Sequence, residues 1–427
     1  MTTLAEVLLW GTVIGTVSVE DNGFANFKYS DEILESGIEL SPIVMPLSRE
    51  IYTFPALNTE SFYGLPGLLA DSLPDKFGNA VINAWLERQG RERDSLNAVE
   101  RLCYVGSRGM GALEFRPVIG EKYTTSEKIK VDALVELASD ILSKRINMRA
   151  YSDHKNLRRL ISVGTSAGGA RAKALIAWNE DTNEIRSGQV DSPAGFSQWI
   201  IKFGGVNNNR DKDDEDSDYH TRVEYAYYLM AKDCGIDMME SRLYEENGRY
   251  HFMTKRFDRT EDGGKLHMQS LGAIAHYDFN MAGAYSYEQT ASVARELGMG
   301  AKEVKELMRR MVFNVIAKNN DDHVKNISFL MNKEGEWSLA PAYDLTYAYN
   351  PNGIWTSKHQ MTINGKQDEI KEGDLLETGL TAGITNYEMR KIIDEVKNGV
   401  NGFENYALRA NIDEYEIKQI KSNSERI

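Results

Sequence analysis

Two carboxylates and an amide in the C-terminal part of the chain have the types and the spacing of a phosphoryl-transfer site. Residues 319–326 read Asn-Asn-Asp-Asp-His-Val-Lys-Asn, so Asp321 precedes Asn326 by five positions. In kinase catalytic loops this spacing places a base for the substrate hydroxyl near an amide that binds magnesium. Asp344 offers a further oxygen ligand, which a hard cation prefers. A plain helix-end turn contains the same residue types, so the spacing alone leaves both interpretations open.

A glycine-rich segment lies upstream, at residues 162–173. It reads Ser-Val-Gly-Thr-Ser-Ala-Gly-Gly-Ala-Arg-Ala-Lys. Glycine lets backbone N–H groups approach a phosphate closely, because it has no Cβ and tolerates positive φ. Thr165 and Ser166 add hydroxyls that could bind a phosphate or become phosphorylated. Arg171 and Lys173 could neutralise phosphate charge or lie at the surface. A tight turn in a sheet is the alternative interpretation of the whole segment.

A lysine interrupts the apolar, strand-like run of residues 197–203. Burying an ammonium group without a partner costs free energy, and kinases place such a lysine against the nucleotide phosphates, paired with a helix glutamate. Lys202 fits this role, and Glu224 opens the helical segment that follows. Simpler interpretations stay open: Lys202 as an edge-strand lysine in water, and Glu224 as a first-turn acid near the positive end of the helix dipole.

Residues 250–259 predict a strand that runs into a turn. In a kinase arrangement this segment would lie beside adenine and offer backbone groups of Lys255 and Phe257, and a plain strand end is the alternative. The parts therefore follow the order of glycine-rich loop, strand lysine, helix glutamate, hinge-like strand, catalytic loop and second acid. Each part is weak alone, but their agreement in order favours a magnesium- and ATP-dependent phosphoryl transferase over unrelated turns.

Apolar periodicity predicts the elements that must position these residues. Apolar residues recur at three- and four-residue steps before the catalytic loop, which predicts a helix over residues 304–317, and a strand is predicted over residues 327–331. The charged tail from residue 406 predicts one surface helix. In the N-terminal part the pattern predicts two or three antiparallel strands over residues 4–29, helices over 79–88 and 97–104, and a strand over 112–117.

Length and composition predict more than one globular domain. The chain has 427 residues, of which 41% are hydrophobic and 10% aromatic, enough for real cores. We predict a small N-terminal domain over residues 1–120, a helical connector over 121–150 and a kinase-like domain over 151–427. The net charge of 50 − 64 = −14 argues against a stand-alone nucleic-acid binder, because phosphate contacts require clustered Lys and Arg.

The cellular compartment is predicted from cysteine usage and from apolar runs. Cys103 and Cys234 both lie in apolar-patterned segments, so we expect buried thiols in a reducing compartment. No Cys/His spacing resembles a zinc site. The N-terminus has neither a basic region nor a long apolar run, and no segment approaches about 18 apolar residues. We therefore expect a cytoplasmic protein without a signal peptide or a membrane span.

The chain resembles the HipA family of serine/threonine kinases, the toxins of bacterial toxin–antitoxin pairs. The resemblance implies an α+β fold in which a small N-terminal α/β domain packs on a mostly helical, kinase-like C-terminal domain. The matching segments are residues 64–75, 104–113, the loop around Ser166, 200–202, 255–259, 320–326 and 341–344.

The resemblance also implies a role for individual residues. Asp321 resembles the catalytic base, and Asn326 and Asp344 resemble the magnesium ligands. Lys202 resembles the phosphate-binding lysine, and His323 would order the catalytic loop or be a core or capping histidine. The full set predicted to bind ATP consists of Gly168, Gly169, Ala170, Arg171, Ala172, Lys173, Lys202, Lys255, Arg256, Phe257, His323, Val324, Lys325, Asn326, Tyr343 and Asp344.

Regulation and partners follow from the same resemblance. Ser166 aligns with the serine that family members autophosphorylate, and about two added negative charges would compete with the phosphates of ATP. Thr165 is the alternative, since this loop has more glycines than some members have, and an arginine that they lack. Family toxins bind a helix-turn-helix antitoxin of the HipB type, which carries the complex to DNA. Better-studied members phosphorylate an aminoacyl-tRNA synthetase. A small-molecule kinase and a non-catalytic nucleotide-binding co-repressor are the alternative functions.

Overall fold

The computed structural model describes residues 3–119, 128–143, 171–189, 193–206 and 218–423. The chain divides into two compact units. The first comprises Met1–Ile38, Leu47–Thr221 and Glu240–His267, and the second comprises Glu39–Pro46, Arg222–Met239 and Met268–Ile427. Helices and antiparallel strands together confirm the predicted α+β class.

An antiparallel sheet occupies the start of the first unit. In the described ranges its strand order is β3-β2-β1-β4, and the prediction of antiparallel strands over residues 4–29 is confirmed. The alternating pattern arises because successive side chains of a strand face opposite sides of the sheet. The strands are β1 (Thr3–Leu9), β2 (Thr12–Val19), β3 (Ala25–Tyr29) and β4 (Leu113–Arg116).

The first unit contains both of the helices that the periodicity predicts, over residues 79–88 and 97–104. The helix predicted from residue 97 begins where Asn97 accepts from the N–H of Glu100 and the Glu100 side chain accepts from the N–H of Asn97, a capping box. The described helices are α1 (Asp31–Ser36), α2 (Thr59–Phe62), α3 (Gly67–Ala70), α4 (Lys76–Arg88), α5 (Ala98–Val105) and α6 (Val131–Ser143).

A second antiparallel sheet of the first unit has the order β6-β5-β7-β9-β8 in the described ranges. Its strands share one buried apolar core with α4 and α6, to which Trp85, Val135, Ile176 and Trp199 contribute. The predicted connector therefore contains a helix that belongs to this core, while the domain boundaries at 120 and 150 stay a prediction. The strands are β5 (Lys173–Asn179), β6 (Glu184–Ser187), β7 (Ser197–Lys202), β8 (Ser241–Glu246) and β9 (Arg249–Lys255).

The second unit is mainly helical. Its amphipathic α10 packs against α9 and α12, and a small sheet has the order β10-β11-β12 in the described ranges. Its helices are α7 (Tyr219–Asp233), α8 (Leu271–Ile274), α9 (Tyr287–Glu296), α10 (Ala301–Ile316), α11 (Glu372–Thr381), α12 (Asn386–Asn401), α13 (Phe403–Arg409) and α14 (Glu414–Asn423). The part of α7 that belongs to this unit begins at Arg222. Its strands are β10 (His267–Ser270), β11 (Ser328–Met331) and β12 (Trp337–Leu339). The part of β10 that belongs to this unit begins at Met268.

The C-terminal tail differs from the prediction of one surface helix. It contributes to α13 and α14, and Ala407, Ile417 and Ile420 are buried. The prediction followed the many charged residues of this stretch, but several of the apolar residues between them are buried. Both cysteines are buried free thiols, as expected. Among the described helices, none combines the length and the apolar character that crossing a bilayer requires.

Candidate functional site

The predicted catalytic loop directly follows α10, as the periodicity indicated. Beyond the helix, the backbone N–H of Asn319 donates to the carbonyl of Asn314 at 2.9 Å. The N–H of Asn320 donates to the carbonyl of Ala348 at 3.1 Å. The loop is therefore held by backbone hydrogen bonds both to the last turn of α10 and to the segment that follows Asp344.

Asp321 and Asn326 are joined across the loop. The Nδ2 atom of Asn326 donates to the backbone carbonyl of Asp321 at 2.8 Å, and both residues are half-buried. Because the amide nitrogen is the donor in this bond, Oδ1 is the side-chain atom of Asn326 that can serve a cation. The five-residue spacing thus produces a direct contact between the proposed base and the proposed metal ligand.

His323 caps a 3₁₀ turn at Val324–Asn326. Its Nδ1 atom accepts from the backbone N–H of Lys325 at 3.2 Å, which is the capping role that the sequence left open. The Lys325 ammonium lies 4.5 Å from the ring centroid of Phe279, within the range of a cation–π contact. These contacts restrict the conformation of the second half of the loop.

Tyr343 ties the segment that carries Asp344 to the catalytic loop. Its hydroxyl donates to the carbonyl of Lys325 at 2.6 Å and lies 2.5 Å from Oγ of Ser328. Asp344 has a φ of 54°, a left-handed conformation that Asp adopts more readily than most residues. Such conformations cluster at functional sites, where the surrounding contacts maintain them. The second carboxylate therefore occupies a constrained backbone position.

A further acid of the loop, Asp322, is buried, and no sequence pattern distinguishes it from a solvated loop acid. Its Oδ2 atom accepts from the Tyr287 hydroxyl at 2.8 Å and lies 3.0 Å from Nδ1 of His359. Its Oδ1 atom accepts from the N–H of Gln360 at 2.7 Å. Burial, and then the charge of Asp322, raise the pKa of Tyr287 well above its ordinary value, so this hydroxyl remains a donor.

Lys202 of the first unit lies on the central strand of its sheet, β7. It is directly opposite Lys173 of β5 and Phe252 of β9, and its ammonium lies 5.8 Å from the Phe252 ring centroid. The interpretation of Lys202 as an edge-strand lysine is therefore wrong. Residues directly opposite in an antiparallel pair share one face of the sheet, so two lysines place positive charge on the same face.

Lys173, at the end of the glycine-rich segment, is buried. Its ammonium lies 3.9 Å from Oδ2 of Asp75, and the two side chains are 6% and 7% exposed. The interpretation of Lys173 as a surface lysine is therefore wrong. Asp75 also accepts from the N–H of Gly78 at 2.6 Å and so caps α4. This acid, which ends the segment 64–75 that contributed to the resemblance, thus meets the predicted phosphate loop.

The predicted adenine hinge, residues 255–257, follows β9. The N–H of Lys255 donates to the carbonyl of Glu240, and the N–H of Arg256 donates to the carbonyl of Gln198, both at 2.9 Å. The Arg256 guanidinium is fully buried and forms two bonds with the Asp258 carboxylate, at 2.8 and 2.7 Å. Any contact of Arg256 with a nucleotide would consequently involve its backbone.

Arg256, Asp258 and Arg259 form a buried ion cluster, here called the hinge cluster. Arg259 lies 2.9 Å from Asp258, and the N–H of Gly111 donates to the same carboxylate at 2.6 Å. Burial alone would raise the pKa of Asp258, but the attraction of Arg256 and then of Arg259 outweighs it and holds the pKa well below its ordinary value. Both guanidiniums also donate to the carbonyl of Gly109, each at 3.3 Å.

Several predicted residues stay untested by the geometry. Gly168, Gly169 and Ala170 lie outside the described residues, as do Ser166 and Thr165. Of the rest of that loop, Arg171 is half-buried and Ala172 is buried.

Two further site predictions concern the helix glutamate and the metal. Lys202 belongs to the first unit and the buried Glu224 to the second, and their pairing stays a prediction. Among the described residues, no group of three or more His, Cys, Asp or Glu side chains is arranged to hold a metal ion. A magnesium site in which phosphates supply part of the coordination needs fewer protein ligands than that.

Comparisons with known proteins agree with the resemblance. A model of the HipA N-terminal domain matches residues 5–116, and a model of the HipA-like C-terminal domain matches residues 165–402. A putative kinase of Haemophilus influenzae is 30% identical over 176 residues, which are 36% of this chain and 51% of that protein. The putative kinase Y4mE of Sinorhizobium fredii is 29% identical over 355 residues, 79% of this chain and 76% of that protein.

A solved structure is similar over nearly the whole chain. It is the Shewanella oneidensis MR-1 toxin–antitoxin system of HipA, HipB and its operator DNA. The TM-score is 0.68 with 17% sequence identity, over 98% of this chain and 94% of that one. At this identity the likeness establishes the fold, whereas the match to the Haemophilus influenzae relative spans only about half of that protein's length.

Proposed function

This chain belongs to the HipA family, and on that premise we propose that it is an ATP- and magnesium-dependent serine/threonine protein kinase that acts as the toxin of a toxin–antitoxin pair. The observation that carries the proposal is the bond of 2.8 Å between the Asn326 amide and the Asp321 carbonyl. It fixes a candidate base and a candidate metal ligand on one short loop, which the Tyr343 hydroxyl links to the segment with Asp344.

In the proposed reaction, Asp321 accepts the proton of the acceptor hydroxyl while the oxygen of that hydroxyl attacks the γ-phosphorus of ATP. The new O–P bond forms as the bond to the β,γ-bridging oxygen breaks, and ADP leaves with that electron pair. Asn326 and Asp344 offer only oxygen ligands, which fit magnesium. When bound, the cation neutralises charge on the phosphates. Lys202 supports phosphate binding because it lies directly opposite Lys173, which places two positive charges on one face of the sheet.

The proposal extends to regulation and partners. Autophosphorylation at Ser166, or alternatively at Thr165, would silence the kinase by adding negative charge to the predicted phosphate loop. A HipB-type antitoxin would bind the chain and carry it to DNA. The net charge of −14 agrees with DNA contact through the partner, because a negatively charged chain is repelled by DNA phosphates. The acceptor is a hydroxyl of a protein, as in the family members that act on an aminoacyl-tRNA synthetase.

Replacement of the base tests the reaction. We expect Asp321→Asn to lower phosphoryl transfer by about 10²- to 10⁴-fold, the usual contribution of a positioned base, while ATP binding is retained. Transfer is measured with γ-labelled ATP and a cell lysate, and ATP binding by calorimetry. Asp31→Asn, which removes a carboxylate that is 75% exposed, is the control and should behave as wild type.

The distribution of label distinguishes the acceptor classes. Label on a discrete protein band supports the protein kinase. Label found only in the small-molecule fraction would replace the proposal by a small-molecule kinase. Undiminished transfer by Asp321→Asn would remove Asp321 from the role of base.

A further inference from the structure

Neighbouring acids of the catalytic loop occupy different environments. Asp321 is half-buried, whereas Asp322 is only 3% exposed. Among the described residues, the hydrogen-bond partners of Asp322 are a hydroxyl, an imidazole and a backbone N–H, and none is Lys or Arg. Burial of a carboxylate costs free energy that hydrogen bonds must offset. A buried acid without a Lys or Arg partner therefore contributes little to the stability of a core.

The partners of Asp322 connect back to the loop on the other side of Asp321. The Tyr287 hydroxyl, which donates to Asp322, accepts from Nδ2 of Asn314 at 3.0 Å. The Oδ1 atom of Asn314 in turn accepts from Nδ2 of Asn319 at 2.9 Å. A continuous hydrogen-bonded chain therefore holds the loop at Asn319 and at Asp322, and the proposed base lies between these two points.

The same chain joins separate elements of the second unit. Tyr287 is the first residue of α9 and Asn314 lies in the last turn of α10. His359 and Gln360 belong to a later segment, so the carboxylate of Asp322 collects donors from two distant parts of the sequence. A loop held in this way at both ends of a four-residue stretch, Asn319 to Asp322, has little freedom to rotate its two middle residues.

We propose that Asp322 is a positioning residue of the phosphoryl-transfer site, which acts through Tyr287 and Asn314 to hold Asp321 and Asn326 in their productive geometry. This inference rests on the kinase function proposed above. Rates depend steeply on such geometry, since a displacement of about 1 Å can lower a rate by about 100-fold. Asp322 touches neither substrate nor metal in this role.

Two variants test the role at different points of the hydrogen-bonded chain. Asp322→Asn keeps the size of the side chain and one oxygen for the N–H of Gln360, but presents an NH₂ group in place of one acceptor oxygen. Tyr287→Phe removes the hydroxyl that joins Asp322 to Asn314. The matched control is Tyr406→Phe, because the Tyr406 hydroxyl also donates to a carboxylate, that of Asp233, elsewhere in the same unit.

The measurements are kcat and KM for ATP of phosphoryl transfer, the Kd of MgADP and the melting temperature. We expect Asp322→Asn and Tyr287→Phe each to lower kcat by about 10- to 100-fold, with KM for ATP and the Kd of MgADP within about threefold of wild type. Tyr406→Phe should lower the melting temperature similarly but keep kcat within about twofold. The double variant should lose little more than either single one, since both interrupt the same chain.

Several outcomes would overturn the inference. Wild-type kcat in Tyr287→Phe, or an equal loss of kcat in Tyr406→Phe, would reduce Asp322 to a structural role. If Asp322→Asn fails to fold, Tyr287→Phe decides by itself, because it removes only one hydroxyl. Absence of phosphoryl transfer by the wild-type protein, despite MgADP binding, would instead refute the proposed kinase function, and the positioning role with it.

Discussion

Asp258 of the first unit and Asp322 of the second are both buried at a predicted site segment, and their carboxylates are satisfied in different ways. In the first unit, Asp258 of the hinge cluster accepts from the guanidiniums of Arg256 and Arg259 and from the N–H of Gly111. In the second unit, Asp322 accepts from the Tyr287 hydroxyl and the N–H of Gln360 and lies beside the His359 imidazole. We call each set of partners the cage of its carboxylate. The cage of Asp258 contains two charged guanidiniums, whereas that of Asp322 contains no Lys or Arg among the described residues.

The difference between the cages predicts different consequences of damage. Removal of Asp258 would leave two buried guanidiniums without their counter-charge, which is strongly destabilising. Removal of the charge of Asp322 would leave dipoles that can reorient, because a hydroxyl rotates and an imidazole changes tautomer. We therefore expect Asp258 to control mainly the free energy of unfolding and Asp322 mainly the rate of the reaction.

The largest expected effect is that of Asp258→Ala. We expect it to lower the free energy of unfolding by about 3–5 kcal/mol, the usual cost of breaking a buried ion pair by removing one partner. Urea denaturation followed by circular dichroism measures this loss. The control is Arg49→Ala, which breaks an ion pair whose side chains are 74% and 75% exposed and should cost about 0–1 kcal/mol. Equal losses in the two variants would contradict the assignment of a structural role to the hinge cluster.

A smaller effect is expected from two histidines whose pKa values are lowered, one in each unit. Burial lowers the pKa of His251 in the first unit and of His276 in the second to about 4. The unfolded chain, with a histidine pKa near 6.5, therefore binds protons that the folded chain does not. Stability should be unaffected above about pH 6.5 and should fall as the pH drops from there towards about 4, by at most about 3 kcal/mol per histidine.

The pH effect is measured by urea denaturation between pH 4 and pH 7. His251→Gln and His276→Gln should each flatten the dependence in this window by a similar amount, since both histidines are shifted chiefly by burial. A flattening in only one variant would show that one unit admits the protonated imidazole more readily than the other. An unchanged slope in both would contradict the neutral state of these side chains in the folded protein.

Among the substitutions of buried groups, the smallest expected effect on stability is that of Asp322→Asn, at about 1–2 kcal/mol, because its donors can reorient around the new amide. The same denaturation experiment measures it beside Asp258→Ala. A loss as large as that of Asp258→Ala would remove the distinction between the two cages. A small loss of stability together with a large loss of kcat would sharpen it.

Local periodicity predicted the elements around the catalytic loop. The helix and the strand expected at residues 304–317 and 327–331 are α10 and β11, with small differences in their ends. Amphipathic spacing carries this information because a helix must bury one face along its length. The contact between Asp321 and Asn326 is also local, so the five-residue spacing was sufficient to suggest it.

The environment of the individual charged residues could not be predicted in the same way. Whether Lys202 lies at an edge or in the centre of a sheet depends on β5 and β9, which come before and after it in the chain. The burial of Lys173 depends on Asp75, in a segment far upstream. Asp322 looks like any loop acid until Tyr287 and His359 are placed around it.

The sequence by itself determined the α+β class, the order of the site segments and the family, because periodicity, residue type and spacing are properties of short stretches of chain. Only the tertiary structure decided which charges are buried and which partners neutralise them. The free energy of a buried charge depends on groups that lie within a few ångströms in space, and folding brings these groups from positions that are far apart along the chain.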